Sequence, residues 1–468
     1  MQNNNLKHYQ EETISAVCTA MGEGAVGIVR ISGEKALMVG EMLFKAASGK
    51  KISEYPVNTL VYGHVYDNDG SIVDEVMAVY MRAPHSYTAE DVVEIQCHGG
   101  VRSLQKILSL SYAAGARPAE PGEFTKRAFL NGRIDLVQAE AVMDIIKSRS
   151  DAALKVAVRQ QEGQLSAQVR KLRKELLDVI VNLEAVIDYP EDDIEEITFA
   201  NVLESVNNTS SGVKKLLENA HTGRILREGL HVAIIGKPNV GKSSFLNFLL
   251  KEDRAIVSEF AGTTRDVIEE QFMLGGIPIV LADTAGIRET DDYVERIGVE
   301  KSRRILSEAE LVIVVLDGSQ PLTDEDKEIL ALVKGRQYVI IINKSDLGSA
   351  DVEQSLKKEG FYESPVIGLS AKTGAGFDKF TEWLQQFVYG NDKHLGDGIY
   401  VQNARHERLL NASLESMNDA LTAAENQLPY DCIMIDLRNA AEYLGEITGD
   451  TVRDEIINEI FSKFCIGK

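Results

Sequence analysis

The stretch Gly236-Lys237-Pro238-Asn239-Val240-Gly241-Lys242-Ser243 restricts what this chain can fold into more than any other. It fits the pattern of a glycine, four free positions, then Gly-Lys-Ser. The apolar run Leu230 to Ile235 precedes it and reads as a buried strand, and Ser244 to Leu250 follows it and reads as the start of a helix. Strand, glycine-rich turn and helix in that order make a phosphate-binding loop. The glycines let backbone N–H groups turn inward on phosphate oxygens, and the helix N-terminus adds positive potential. Asn239, Val240, Gly241, Lys242, Ser243 and Ser244 are the candidate contacts, with Lys242 on the outer phosphates and the Ser243 hydroxyl on Mg²⁺.

Three later stretches narrow the nucleotide to GTP. Asp283-Thr284-Ala285-Gly286 follows a predicted strand, Ile277 to Ala282. There a carboxylate holds Mg²⁺ through water and the Gly286 N–H senses the γ-phosphate. Asn343-Lys344-Ser345-Asp346 follows the run Tyr338 to Ile342. The Asp346 carboxylate accepts two hydrogen bonds from the guanine edge, which adenine does not offer, and paired polar groups of this kind reject the wrong base strongly. Ser370-Ala371-Lys372, after Val366 to Leu369, backs the base. Gly262-Thr263-Thr264-Arg265-Asp266 falls where a switch loop belongs, with Thr264 as a second Mg²⁺ ligand. After Asp-Thr-Ala-Gly, small signalling GTPases place a water-orienting glutamine; here the position is Ile287. An apolar side chain does not orient water, so Arg288, Glu295 and Arg296 become the catalytic candidates beside Asp283.

The remaining chain is too long for one core: 468 residues imply about three domains. Up to about residue 122, β-like runs at Ala25 to Ile31, Val76 to Met81 and Val92 to Gln96, with a helix from Arg102 to Ala114, predict an α+β domain. From Glu123 the period turns helical. Leu154, Val158, Leu165, Val169, Leu172, Leu176, Leu183 and Val186 predict one stripe of a long helix, ended by the acidic, solvated stretch Asp188 to Glu196. Helical periodicity resumes after about residue 390, through Leu410 to Leu428 and Val452 to Phe464. The expected architecture is therefore multidomain: an α+β domain at 1–122, a discontinuous α-helical domain at 123–223 and 391–468, and an inserted α/β P-loop GTPase (Ras-like) domain at 224–390.

Charge and cysteine content bound the partners. With 50 basic and 72 acidic residues the formal net charge is −22, so tight, unaided binding to a nucleic-acid backbone is disfavoured. Cys18, Cys97, Cys432 and Cys465 are scattered without zinc or redox spacing, which suits free thiols in a reducing cytoplasm. The start lacks the apolar core of a signal peptide, and the apolar runs are strand-length, so no membrane span and a cytoplasmic location are expected.

Whole-chain motifs resemble the MnmE (TrmE) family of tRNA modification GTPases. They are Gly27 to Gly33, Asp91 to Gly100, Arg117 to Arg133, the Gly-Thr-Thr-Arg-Asp switch and the tail Phe464-Cys465-Ile466-Gly467-Lys468. The resemblance implies a homodimer formed through N-terminal domains. It implies a flavin- and NADH-using partner (MnmG, or GidA), modification of the wobble uridine of tRNA, and binding of 5-formyltetrahydrofolate. Carried over by motif, Asn239 would ligate K⁺ with carbonyls of the Ser258 to Thr263 loop, Phe260 included, and Glu295 would orient the attacking water. Ser258, Thr263 and Thr264 would also face the nucleotide. Arg30, Glu94 and Arg133 would face folate with Lys468 nearby, and Cys465 would serve the modification. The loop Thr19 to Val26 departs from the family's usual Thr-Pro-Pro-like turn and Gly-Gly pair, with Ala25 at one glycine position.

On chemistry alone, other readings stand beside these. Arg30, Glu94 and Arg133 also suit ion pairs within the first domain. Cys465 also suits a small buried hydrophobe, and Asn239 a turn cap. For the whole chain, a ribosome-assembly switch binding ribosomal RNA is the alternative to tRNA modification, and a folate carrier regulated by GTP is a third reading.

Overall fold

The computed structural model describes residues 12–188, 199–252, 271–281, 306, 309–348, 351–361, 365–390 and 398–468. The chain divides into two compact units, one of residues 1–143, 159–207 and 415–468, the other of 144–158 and 208–414.

The first unit is built on a seven-stranded sheet. Its strands are β1 (Ile14–Val17), β2 (Gly24–Ser32), β3 (Phe44–Ala46), β4 (Val61–Tyr66), β5 (Ile72–Met81), β6 (Val92–Gly99) and β7 (Arg117–Pro118). They run in the order β3-β4-β5-β6-β2-β1-β7, antiparallel except for the β1–β7 pair. Alternation gives each strand one apolar face. Val29, Ile31, Val93 and Ile95 pack under Ala36, Val39 and Leu43 of helix Ala36–Leu43 and under Leu104, Ile107 and Leu110 of helix Val101–Ala113. The opposite face of β2 and β6 is left for Arg30 and Glu94, which are direct register partners. The variant Ala25 falls where the β2–β6 register shifts between Gly24 and Val26. A bulge of this kind takes up an extra residue without disturbing the strand beyond it. Arg30 consequently stays in register.

The expected single long helix is two helices, Asp151–Gln161 and Gln164–Asp188. Gly163, at φ +86°, breaks the run in the left-handed conformation that glycine adopts most cheaply. The break resets the phase of the stripe. Leu165, Val169, Leu172, Leu176 and Leu183 are buried, whereas Leu154 and Val158 are 40% and 37% exposed. Helix Gln164–Asp188 packs on helix Tyr430–Thr448, where Arg173 Nε reaches the Ala441 carbonyl at 3.2 Å. Of the acidic stretch, 189–196 lies outside the described residues.

The second unit contains a six-stranded sheet: β8 (Leu230–Ile235), β9 (Gln271–Leu274), β10 (Ile277–Leu281), β11 (Leu311–Asp317), β12 (Tyr338–Asn343) and β13 (Val366–Gly368). Its order is β13-β12-β11-β8-β10-β9, parallel except at the edge strand β9. All seven residues of β11 are buried, as a strand covered on both faces requires. The strand order reverses beside β8, and in such sheets ligands bind outside the carboxyl ends at that reversal. Among the described residues no helix is long and apolar enough to cross a membrane.

Candidate functional site

The loop after β8 enters helix Lys242–Glu252 directly. Gly236 lies so close to β11 that a Cβ there would come 2.4 Å from the Val315 carbonyl, which explains the first glycine of the pattern. Asn239 adopts φ +63° and Gly241 φ +96°, so the loop folds back over the helix N-terminus. Lys242 Nζ donates to the carbonyls of Gly236 and Lys237, each at 2.8 Å, and bridges the loop it would use to hold phosphate. Ser243 and Ser244 begin the helix, where N–H groups have no intrahelical partner.

The carboxyl ends of β12 and β13 complete the site. Asn343 is buried and braces both neighbours: its Nδ2 donates to the Val240 carbonyl at 2.9 Å, and its Oδ1 accepts from the Ala371 N–H at 3.0 Å. Lys344, at φ +64°, lays its chain along the site and donates to the Asn239 carbonyl and to Asp317 Oδ2, both at 2.7 Å. Ser370 Oγ donates to Asp346 Oδ1 at 2.7 Å, and this bond is the main reason the carboxyl sits below its ordinary range. These residues, with Lys372, surround a cavity of about 510 Å³. Its size suits a nucleoside, and its donors and acceptors converge on one edge. A larger hollow of about 890 Å³ lies beside β3 and β4, around Met38, Lys45 and His64, but it lacks such convergent strand ends.

Three residues of this site escaped the sequence reading. Asn247 and Phe248, from the helix, and Leu347 also line the cavity. Asp317, which anchors Lys344, was missed as well. Asn247 and Phe248 lie within the helix, Leu347 follows Asp346, and Asp317 ends β11 with no motif to mark it.

The other half of the nucleotide reading falls outside the described residues: Ser258, Phe260, Thr263, Thr264, Asp283, Thr284, Ala285, Gly286, Ile287, Arg288, Glu295 and Arg296.

In the first unit a second cluster forms on the side of β2 and β6 away from helices Ala36–Leu43 and Val101–Ala113. Arg30 Nε bonds Glu94 Oε1 at 2.7 Å, with both side chains largely buried. The Arg30 guanidinium lies 5.0 Å from the centre of the Tyr87 ring and 5.4 Å from that of Phe124. Arg133 lies 5.1 Å from the same Tyr87 ring and donates to the Tyr87 carbonyl at 2.9 Å. Tyr87 thus carries both guanidiniums, and nothing in its sequence context announced it. Burial works against the Arg30 charge, yet Cys18 and Glu94 hold its pKa above the ordinary value. Burial also pushes the Cys18 thiol up.

The carboxy-terminal tail reaches this cluster. Gly122 N–H donates to the Cys465 carbonyl at 3.3 Å, and Phe124 N–H to the Lys468 carbonyl at 3.2 Å. Gly467 lies against β1 so tightly that a Cβ would come 2.1 Å from the Val17 carbonyl. Cys465 is exposed, so it is not the buried packing residue that a lone cysteine more often is. Arg30, Glu94, Arg133 and Lys468 are therefore brought to one place, and Arg30 with Glu94 also forms the ion pair expected on chemistry alone. Beneath them lies a buried network. Arg127 is 2% exposed and bonds Glu123 at 2.9 Å and Glu90 at 3.1 Å, and Glu90 also accepts from Ser32. The network and the Asn131 bond to the Thr88 carbonyl fix the loop that presents Tyr87.

Comparison with known proteins matches both ends of the chain to family models. Residues 13–133 match the GTP-binding protein TrmE N-terminus, and residues 136–465 the MnmE helical domain. The tRNA modification GTPase MnmE of Clostridioides difficile (strain 630) is 49% identical over 458 residues, 98% of this chain and 99% of that protein. The protein of the same name from Alkaliphilus metalliredigens (strain QYMF) is 48% identical over 462 residues, 98% of this chain and 100% of that one. Among solved structures, the FeoB G-domain from Methanococcus jannaschii is 23% identical, covering 34% of this chain and 97% of that chain at a TM-score of 0.25.

Proposed function

The chain belongs to the MnmE family and is a GTPase of tRNA modification, and we propose from that premise how its two clusters divide the work. GTP occupies the cavity at the ends of β8, β12 and β13. The observation that carries this is the convergence of Asn343, Asp346, Ser370 and Ala371 on one edge, beside the phosphate loop. The Asp346 carboxylate takes the guanine N–H groups, while Asn343 and Lys344 hold the loop carbonyls that shape the phosphate side. Mg²⁺ would be held by the hydroxyls of Ser243 and Thr264, with Asp283 behind water, and would neutralise charge on the β- and γ-phosphates. Lys242 exchanges its carbonyl partners for phosphate oxygens without leaving the loop.

Hydrolysis then needs a charge beside the bridging oxygen and a group that orients water. Asn239 and the Ser258 to Thr263 loop would hold a K⁺ ion, which would supply the charge in place of an arginine finger. Glu295 orients the water, with Arg288 as a supporting group. Asn239 supports this by its position: its left-handed backbone sets it at the rim of the phosphate loop.

The cluster around Tyr87 binds a reduced folate such as 5-formyltetrahydrofolate. The donor set fits. A carboxylate, Glu94, suits the paired N–H groups of a pterin, planar guanidiniums suit folate oxygens, and an aromatic ring lies between them. The tail sets Lys468 at this cluster and leaves Cys465 exposed for the modification step. The protein acts as a cytoplasmic homodimer with an MnmG/GidA-like FAD protein that brings the tRNA wobble uridine, and the net charge of −22 supports leaving tRNA binding largely to that partner. The test is mass analysis of wobble-uridine nucleosides in tRNA from cells lacking the gene. Loss of the C5 aminomethyl-type modification, restored by the wild-type chain, is the expected result. Unchanged tRNA with a ribosome-assembly defect would overturn it.

A further inference from the structure

Phe248 lies on helix Lys242–Glu252 and lines the cavity together with the strand ends that recognise the base. Its ring stacks on Phe377, with centroids 3.8 Å apart and planes at 30°. A Cβ at Gly374 would come 3.1 Å from two atoms of the Phe248 ring, and Gly374 has φ +82°. The backbone thus rests on the ring at a position where only glycine fits without strain.

Gly374 closes the loop that carries Ser370. Its N–H donates to the Ser370 carbonyl at 2.9 Å, and Ser370 N–H donates to the Ala375 carbonyl at 2.9 Å. Thr373 N–H also reaches Ser370 Oγ, at 3.3 Å. That same hydroxyl holds Asp346 Oδ1, and the neighbouring Ala371 N–H holds Asn343. An unbroken run of contacts therefore leads from the phosphate-loop helix through Phe248, Gly374 and Ser370 to the carboxylate that reads the base.

We propose that Phe248 is a positioning residue for guanine recognition, bracing the Ser370–Gly376 loop from the helix that begins at the phosphate loop. The proposal rests on the reading of this cavity as the guanine site. Removing the ring opens a space under Gly374, the loop settles into it, and Ser370 no longer holds Asp346 in one orientation. The phosphate loop, at the start of the helix, is untouched.

Comparing GDP with IDP tests the base end of the site. Guanine offers Asp346 its ring N–H and its 2-amino group, whereas hypoxanthine lacks the 2-amino group. The ratio of affinities thus reports the bond to the 2-amino group, which forms only when the carboxylate is aligned with both N–H groups, while IDP keeps the ring N–H bond and the phosphate contacts. Binding to the full-length wild type, Phe248→Ala, Phe248→Leu, Gly374→Ala and the Phe248→Ala/Gly374→Ala double variant should be measured by titration. Wild type should prefer GDP. Phe248→Ala should lower the GDP-to-IDP ratio about tenfold, with GDP affinity falling further than IDP affinity. Phe248→Leu should recover part of the ratio, and the double variant should lose no more than the worse single one, because both act through one contact. Equal weakening of GDP and IDP, or additive losses, would overturn the bracing role. If Phe248→Ala does not fold, Phe248→Leu and Gly374→Ala carry the same comparison. No GDP preference in wild type would instead overturn the guanine-site reading, and the proposal with it.

Discussion

Ser370 Oγ donates a 2.7 Å hydrogen bond to Asp346 Oδ1 across 24 residues of chain, joining the ends of β13 and β12 at the base side of the cavity. This bond lowers the Asp346 pKa, so it favours the charged form that the proposed contact with guanine needs.

The sign of the pH dependence follows. A carboxyl with a depressed pKa keeps its charge-dependent contribution above the ordinary carboxylate value and loses it as pH falls through the lowered one. GDP affinity in wild type should stay level down through the usual aspartate range and weaken only below it. In Ser370→Ala the weakening should begin at higher pH, and affinity near neutrality should drop several-fold. Fluorescence titration of GDP from neutral pH towards the onset of acid unfolding reads both effects. An unshifted profile in Ser370→Ala would show that the hydroxyl does not tune the carboxylate.

GTP hydrolysis should be fast in K⁺ and slow in Na⁺, because Ile287 cannot orient water and Asn239 stands where a monovalent cation would be ligated. Asn239→Ala alone is ambiguous, since φ +63° costs an alanine about 1–2 kcal/mol. Asn239→Gly removes the amide and tolerates the backbone. Both variants should lose the K⁺ preference in a phosphate-release assay. Retention of the preference in Asn239→Gly would show that the amide is not a ligand.

In the first unit, Glu94→Ala should abolish saturable binding of 5-formyltetrahydrofolate in isothermal titration. The thermal transition should persist, because Arg30 keeps its contacts with Tyr87 and Phe124. Wild type that fails to bind, or a Glu94→Ala chain that unfolds, would leave Arg30–Glu94 as a purely structural pair.

Arg127→Ala should destabilise the first unit by about 3–5 kcal/mol, the cost of breaking a buried ion pair from one side. Glu123, 1% exposed, and Glu90 would both lose a partner. Chemical denaturation followed by tyrosine fluorescence measures the change. A loss well under 1 kcal/mol would mean that Arg117, already bonded to Glu123 at 2.6 Å, suffices for the network.

Some expectations failed for local reasons that the pattern hides. The periodic stripe ran through Leu154 and Val158 because a spacing rule counts residues and does not register that Gly163 stops one helix and starts another at a new angle. Ala25 departs from the family pattern, but the strand absorbs it in a register shift and Arg30 stays in register with Glu94, as expected. Cys465 fitted a buried residue by frequency and is exposed by its place in the tail.

What the sequence by itself determined is the part written in neighbouring residues. The run Leu230 to Ile235 is β8 to the residue, and the run Tyr338 to Ile342 is β12 extended by Asn343 alone. Among the described residues the phosphate loop, Asn343 to Asp346 and Ser370 to Lys372 each sit where such a strand ends. Those signals are local because a strand's apolar alternation or a loop's glycine acts within a few residues. What only the tertiary structure decided are the contacts between distant segments: Tyr87 between Arg30 and Arg133, the tail against Val17, and Phe248 under Gly374. A tyrosine, a carboxy-terminal glycine and a helical phenylalanine carry no periodicity that names a partner. Their roles exist only after loop closure has brought chain separated by tens to hundreds of residues into van der Waals contact.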